Sequence, residues 1–266
     1  MRIASFNVNS IKARLPILLA WLQRAQIDAV VLQETKTEDD AFPLAAIQEA
    51  GYEAFYFGQK SYNGVALLAR RDAFPAMQEV ARNIPCYPDS SARSIAVRLT
   101  AVADTPFLFI GAYFPNGQEV GSEKYLYKLD WIAAMTRWVR ELRKDGVSIV
   151  LAGDMNIAPT DDDVWDPEGW KGNLLVSVPE RDAFQGLLRA GLVDPRARLH
   201  PGERSYSWWD YRFQSFEKNH GLRIDHILAS PDLATRFTVL EVDRSPRSLE
   251  RPSDHAPLVA TLTQSA

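Results

Sequence analysis

Apolar and polar positions follow two periods along this chain, and the changes of period divide it into strands and helices. Residues 2–8, RIASFNV, alternate as a strand does, and NSIKARLPILLAWLQRAQ then places Leu15, Leu18, Leu19 and Leu22 at helical spacing. AVVLQE is a continuous apolar strand closing on Glu34, so the chain opens with a β-α-β unit whose strand ends deliver Asn7 and Glu34. A short amphipathic helix is predicted from Phe42 to Ala50, and YEAFYFG and GVALLAR, separated by QKSYN, read as a hairpin. RSIAVRLT and PFLFIGAYFPNG are two further strands, the second ending in Tyr113, Pro115, Asn116 and Gly117; antiparallel neighbours with short connections dominate this middle section. Residues 119 to 145 form the longest helical segment, with Leu126, Leu129, Ala133, Trp138 and Leu142 on one face and a basic end before Gly146. It leads straight into SIVLAGDMNIAP, a buried strand whose end presents Asp154 and Asn156, so the second half repeats the order strand, helix, strand ending in acid.

Beyond that point the segment from Asp161 to Val178, rich in Asp, Gly, Trp and Pro, reads as a long surface loop. PERDAFQGLLRAGLVD has a helical core with a stop at Gly191, and RSYSWWDYRFQSF then concentrates aromatics, either as an edge strand on the core or as an exposed platform for unstacked bases or sugars. GLRIDHILAS is a strand carrying Asp225 and His226, and RPSDHAPLVATL places Asp254 and His255 before a terminal strand. No linker, low-complexity segment or run of like charge divides the chain. The expectation is one domain over residues 1–266, with two sheets packed face to face and helices outside.

Composition narrows the chemistry. At 46% hydrophobic and 24% charged residues the chain can bury a substantial core, and it has no apolar run near the roughly 20 residues a membrane helix needs. Nor is there a basic-then-apolar leader, so cytosolic residence is the expectation. The single cysteine, Cys86, excludes an internal disulfide framework and a multi-cysteine zinc site. With four scattered histidines, oxygen ligands and therefore magnesium or manganese are favoured for any metal. A net charge of −4 argues against a protein that coats nucleic acid, but not against a nuclease whose metal-binding acids lower the total.

Asp154 and Asn156 stand two apart on an extended segment, so both can face one reacting group. A carboxylate beside a carboxamide suits phosphate chemistry: the first orients or deprotonates water, the second donates to a phosphoryl oxygen. An Asx turn capping the strand is the alternative. Glu34 is likewise either a solvated edge residue or a cation ligand. Asn7, Glu34, Tyr113, Asp154, Asn156, Asp225, Asp254 and His255 nevertheless share one pattern, each at or just beyond an apolar strand end.

FNVNSI, LQETK, NGVALLAR, YFPNG, GDMNIAPTD, SWWDYR, GLRIDHILAS and PSDHAP, in this order from residue 1 to about 262, resemble the exonuclease III family of apurinic/apyrimidinic endonucleases within the endonuclease/exonuclease/phosphatase superfamily. The resemblance implies a four-layered α/β sandwich and hydrolysis, with a divalent metal, of duplex DNA at abasic sites or at blocked or recessed 3′ ends by a monomer. It implies Glu34 as principal metal ligand, with Asn7, Asp154, Asn156, Asp254 and His255 lining the same pocket. Asp154 would handle the attacking water or leaving group, Asn156 and His255 would bind phosphate, Asp225 would partner His255, and Tyr113 would be the active-site phenol. On the DNA face it suggests Tyr62, Arg93 and Asn116 as strand contacts, and Trp208, Leu222 and Ile224 as walls of a pocket for an extrahelical abasic sugar. Position 222 is tryptophan in some relatives, so Leu222 bears on pocket closure. Lys36 is either a phosphate contact or a solvated lysine. His226 should point away from Asp225 and be structural.

Two rival readings remain at this level. GDMN and SDH alone also fit a superfamily phosphatase acting on an inositol phosphate or sphingolipid, against which stand QETK, YFPNG, RID and the aromatic run. A non-catalytic DNA-binding module should lack a catalytic position, and none is missing.

Overall fold

A computed structural model describes residues 1–102 and 104–263. β1 (Arg2–Asn7), α1 (Ile11–Ala25) and β2 (Ala29–Gln33) form the expected β-α-β unit, the two strands pairing in parallel from Ile3↔Ala29 to Asn7↔Gln33. α2 (Leu44–Glu49) precedes the antiparallel hairpin of β3 (Tyr52–Phe57) and β4 (Val65–Arg70). β5 (Ala76–Arg82), β6 (Ser94–Thr100) and β7 (Phe107–Tyr113) follow as an antiparallel meander. α3 (Glu123–Lys144) starts later than residue 119, because Ser122 caps it by accepting from the Tyr125 N–H at 3.2 Å. β8 (Ile149–Asp154) returns parallel to β7. α4 (Pro167–Trp170), α5 (Val178–Arg189) and α6 (Arg196–Leu199) lead to β9 (Asp225–Ala229), and α7 (Pro231–Ala234), β10 (Phe237–Val242) and β11 (Leu258–Leu262) complete the described elements.

One sheet has the order β10-β11-β1-β2-β4-β3, the other β5-β6-β7-β8-β9. Strand alternation sorts the apolar side chains into three buried layers. Val31, Leu67, Phe109, Val150 and Ile227 fill the space between the sheets. Phe6, Val30 and Leu32 face the opposite way, onto Leu18 and Trp21 of α1. Ile110 and Leu151 face Trp131 and Met135 of α3 and Phe184 of α5. The result is the four-layered α/β sandwich that the motif resemblance implied. At its centre the sheets approach closely at Gly111, where a β-carbon would lie 2.7 Å from Val31 Cγ1.

Two strands escape the sequence pattern. β5 and β10 each lie at one edge of their sheet and are largely exposed or partly buried, so neither carries the continuous apolar run that marks the inner strands. The expected surface loop from Asp161 to Val178 is instead largely folded down: Asp163 is fully buried, α4 forms, and Val164, Leu175 and Val176 join an apolar cluster with Leu222 and Ile224. No helix among the described residues is long and apolar enough to cross a membrane.

Candidate active site

The site lies where strand ends from both sheets meet. β1 and β2 run in parallel and deliver Asn7 and Glu34 side by side; β8 carries Asp154 at a position paired with Tyr113 on one side and Asp225 on the other. Because the sheets pack face to face, these ends converge. Asn7 Nδ2 donates to Glu34 Oε1 at 2.8 Å and to Asp154 Oδ2 at 2.9 Å, so one amide ties a carboxylate of each sheet and uses both its protons. Glu34 and Asn156 hold the left-handed conformation, with φ of 52° and 50°. For an ordinary L-residue that costs roughly 1–2 kcal/mol, strain of the kind that clusters at functional sites.

Asp154 forms an Asx turn and at the same time directs its second oxygen toward Asn7 and His255. Its Oδ1 accepts from the Asn156 N–H at 2.9 Å, which is an Asx turn, while Oδ2 meets Asn7 and lies 3.5 Å from His255 Nε2. Asn156 Nδ2 donates to the Phe114 carbonyl at 3.0 Å and its Oδ1 accepts from Asn116 Nδ2 at 3.0 Å. Asn116, exposed after β7, thereby joins the pocket edge.

His255 is 3% exposed and is gripped from behind by Asp225, whose Oδ2 lies 2.8 Å from Nδ1. Burial by itself would favour the neutral ring, but the charges of Asp225 and Asp154 outweigh it and lift His255 to about 10, so the imidazole is a cation at neutral pH. Burial pushes the Asp154 carboxyl up to about 7; Asp225 and Glu34 add to this, and His255 and the Asn7 amide oppose it. Tyr113 stands half-buried at the mouth, its phenol pushed well above its ordinary value by burial and then by Glu34 and Asp154. It is therefore a neutral O–H donor.

Asp254 stands one layer further out. Its carboxylate accepts from Trp208 Nε1 at 3.0 Å and Asn9 Nδ2 at 2.9 Å; Asn9 Oδ1 accepts from Lys36 Nζ at 2.6 Å, and Lys36 is 2.8 Å from Glu34 Oε2. A chain of polar contacts thus runs from Trp208 to Glu34, and Lys36 is bound within it rather than solvated. Burial raises the Asp254 carboxyl, but His255 and the Trp208 and Asn9 donors more than reverse this, so it stays ionised. Trp208 also bridges to Leu222 through reciprocal backbone bonds of 3.0 Å. Leu222 and Ile224 are buried in the apolar cluster on which the half-buried Trp208 packs, so they support the indole from behind and, contrary to what the motif resemblance suggested, do not themselves line a pocket. Arg93 lies between the Tyr113 and Tyr127 rings, 5.4 and 5.6 Å from their centroids, beside a cavity of about 750 Å³ that Tyr62 also lines; Tyr62 is 71% exposed. The aromatic run is neither an edge strand nor a uniform platform: Tyr206 and Trp209 are buried, whereas Tyr211 and Phe213 are exposed.

His226 faces the other way, into a buried network in which Arg223 Nη1 lies 2.9 Å from its Nδ1 and its Nε2 is 2.8 Å from the Ile157 carbonyl. Sequence reasoning missed Asn9, the Lys128–Glu180 ion pair behind Asn156, and the Arg223–Asp163 pair. Of these, only Ser177-Val-Pro-Glu180 carried a readable signal, that of a capping box at a helix start.

One nitrogen or oxygen atom of each of Glu34, Asp154 and His255 lies within 4.8 Å of the others, and of the three only the carboxylates keep lone pairs for a cation while the imidazole is charged. Two carboxylates side by side suit a hard divalent cation. A two-sheet α/β sandwich with acids and a charged histidine at converging strand ends defines a metal-dependent phosphodiester hydrolase. The chain belongs to the endonuclease/exonuclease/phosphatase family, whose model matches residues 4–255. It is 34% identical to exodeoxyribonuclease III of Haemophilus influenzae over 271 aligned positions, covering 98% of this chain and 99% of that protein. Its structure is similar to that of a 3′ phosphatase from Neisseria bound to product DNA hairpin, with TM-score 0.90, 40% identity and 99% of both chains covered. It is also similar to an AP endonuclease from Archaeoglobus fulgidus, with TM-score 0.90, 36% identity and 98% and 99% covered.

Proposed function

We propose that this protein is a DNA repair nuclease that hydrolyses phosphodiesters in duplex DNA at abasic sites and at blocked or recessed 3′ ends, acting as a monomeric single domain in the cytosol with Mg²⁺, or Mn²⁺, as cofactor. The observation that carries this reading is the pairing of a carboxylate cluster, Glu34 with Asp154, with a histidinium held by Asp225 across the same pocket. The relatives that act on DNA match nearly the full length, which favours this substrate over a phosphoinositide or sphingolipid.

Glu34 and Asp154 are the anionic oxygens that would hold the cation, with Asn7 and Asn156 flanking them and Asp254 fixing the outer layer through Asn9 and Lys36. The metal, when bound, supplies Lewis-acid polarisation of a phosphoryl oxygen. A doubly protonated imidazole has no lone pair to coordinate, so His255 serves as a donor: Nδ1–H to Asp225, Nε2–H towards the charge that develops on phosphate. Asn156 and the Tyr113 phenol add neutral donors at the same place. Asp154 Oδ2, facing the pocket, takes or returns the proton of the attacking water. Tyr62, Arg93 and Asn116 contact the strand, and Trp208 backed by Leu222 and Ile224 forms the wall of the sugar pocket.

Incubation of the purified protein with an abasic duplex, a recessed 3′-hydroxyl end, a 3′-phosphate end and a phosphoinositide, in magnesium with and without EDTA, tests this. Metal-dependent cleavage of DNA substrates is expected, and Asp154→Ala and His255→Ala should retain fold and DNA binding while losing about 10²–10³-fold or more in turnover. Near-parental cleavage by either variant would refute the assignment.

A further inference from the structure

Lys128 is a buried cation that the proposed chemistry leaves unused. It sits on α3 without exposed surface and pairs with Glu180, equally buried, in the first turn of α5. Its Nζ has three protons and meets three acceptors: Glu180 Oε1, the Asn156 carbonyl at 2.7 Å and the Asn116 carbonyl at 3.1 Å. The last two belong to residues whose side chains bond each other at the pocket edge. They arrive on separate segments, one after β7 and one after β8, and the ammonium is tied to both.

Asn156 is thereby held at every polar group. Asp154 accepts from its N–H, Phe114 and Asn116 hold its side chain, and Lys128 holds its carbonyl, keeping the residue at its left-handed φ of 50°. Glu180 in turn is fixed by its own helix: Oε2 accepts from Ser177 N–H at 3.1 Å and Ser177 Oγ at 2.6 Å, and Oε1 from Leu175 N–H at 3.1 Å. Docking α3 on α5 would need only the ion pair. The other two N–H bonds of Lys128 go to the loops of the site instead. A buried ion pair is often replaceable by apolar groups without loss of stability, so stability alone gives no reason for these acceptors.

We propose that Lys128 is a positioning residue: through the two carbonyls it sets the spacing of the Asn116 and Asn156 amides, and hence where a phosphoryl oxygen is held. The inference rests on the reading of Asn156 as a phosphate donor. Its test compares Lys128→Met, which leaves Glu180 as a lone buried charge, with the charge-neutral double variant Lys128→Met/Glu180→Gln, and with Asn156→Ala. Steady-state incision of abasic duplex, thermal melting, and the side-chain amide resonances of Asn116 and Asn156 are measured for each. Misplacement of a donor predicts kcat about 10- to 100-fold down in both Lys128 variants, KM little changed, and shifted amide resonances, even though the double variant recovers melting temperature. If Lys128→Met does not accumulate as folded protein, the double variant carries the comparison with the parent. Recovery of kcat along with melting temperature would overturn the inference. Parental kcat in the double variant with Asn156→Ala inactive would overturn it while leaving the site reading intact, and parental incision by Asn156→Ala would overturn both.

Discussion

Acid should unfold this protein through His226, a residue outside the chemistry. Arg223 Nη1 can only donate, so the His226 Nδ1 that it meets at 2.9 Å must be the unprotonated nitrogen, and Nε2–H donates to the Ile157 carbonyl at 2.8 Å. The ring is fully buried against Phe184, with Asp163 and Asp194 engaged by the same arginine. A second proton has to enter at Nδ1, against a guanidinium N–H. Burial first, and the Arg223 charge second, therefore depress His226 from 6.5 to about 4, Asp163 and Asp194 opposing only in part. The folded state binds this proton more weakly than the unfolded chain, so the stabilisation is complete above pH 6.5 and is lost as pH falls from 6.5 towards 4. At about 1.36 kcal/mol per pH unit, the displacement from 6.5 to about 4 is worth about 3 kcal/mol. Urea unfolding of the parent and of His226→Gln at pH 7 and pH 4 isolates this from carboxylates titrating in the same range. The parent should lose about 3 kcal/mol more than the variant. Imidazole NMR should show one ring in the Nε2–H form at neutral pH with a midpoint near 4. A midpoint near 6.5, or equal acid losses in the two proteins, would refute the reasoning.

Two further substitutions probe the site and its scaffold. Asp225→Asn keeps the shape but removes the charge that outweighs burial at His255; turnover on abasic DNA should fall about 10²–10³-fold with DNA affinity retained, and an unchanged rate would show that the ring needs no charged partner. Gly111→Ala places a β-carbon 2.7 Å from Val31 Cγ1, so it should lower stability by about 1–3 kcal/mol in urea titration, and Val31→Ala in the same chain should return part of that loss.

The inner strands and both β-α-β units were legible because each is buried on two faces and reads as an uninterrupted apolar run, AVVLQ and IVLAGD above all. Glu34, Asp154 and His255 stood out as polar residues ending such runs. β5 and β10 did not, since an outer strand half in solvent has a weak alternation that Met77, Glu79 and Ala81 hardly mark. The folding-in of the 161–178 segment is not legible, for a different reason. Its Asp163 is fully buried because Arg223, sixty positions away, donates to it at 2.6 Å, and no local pattern announces a partner so distant. Lys128 was hidden similarly: within a helix full of Lys and Arg, nothing distinguishes the one whose charge is consumed inside from those that meet water.

The single amide of Asn7, bonded to one carboxylate of each sheet, has a consequence for how the enzyme fails. The pocket is owned by neither sheet; it is a property of their alignment, and a slip of one residue along a strand, about 3.3 Å, exceeds the length of the bonds that close it. Activity should therefore act as a vernier on the seam. Under mild denaturant or pressure it should disappear while each sheet, read by its own backbone signal, is still whole.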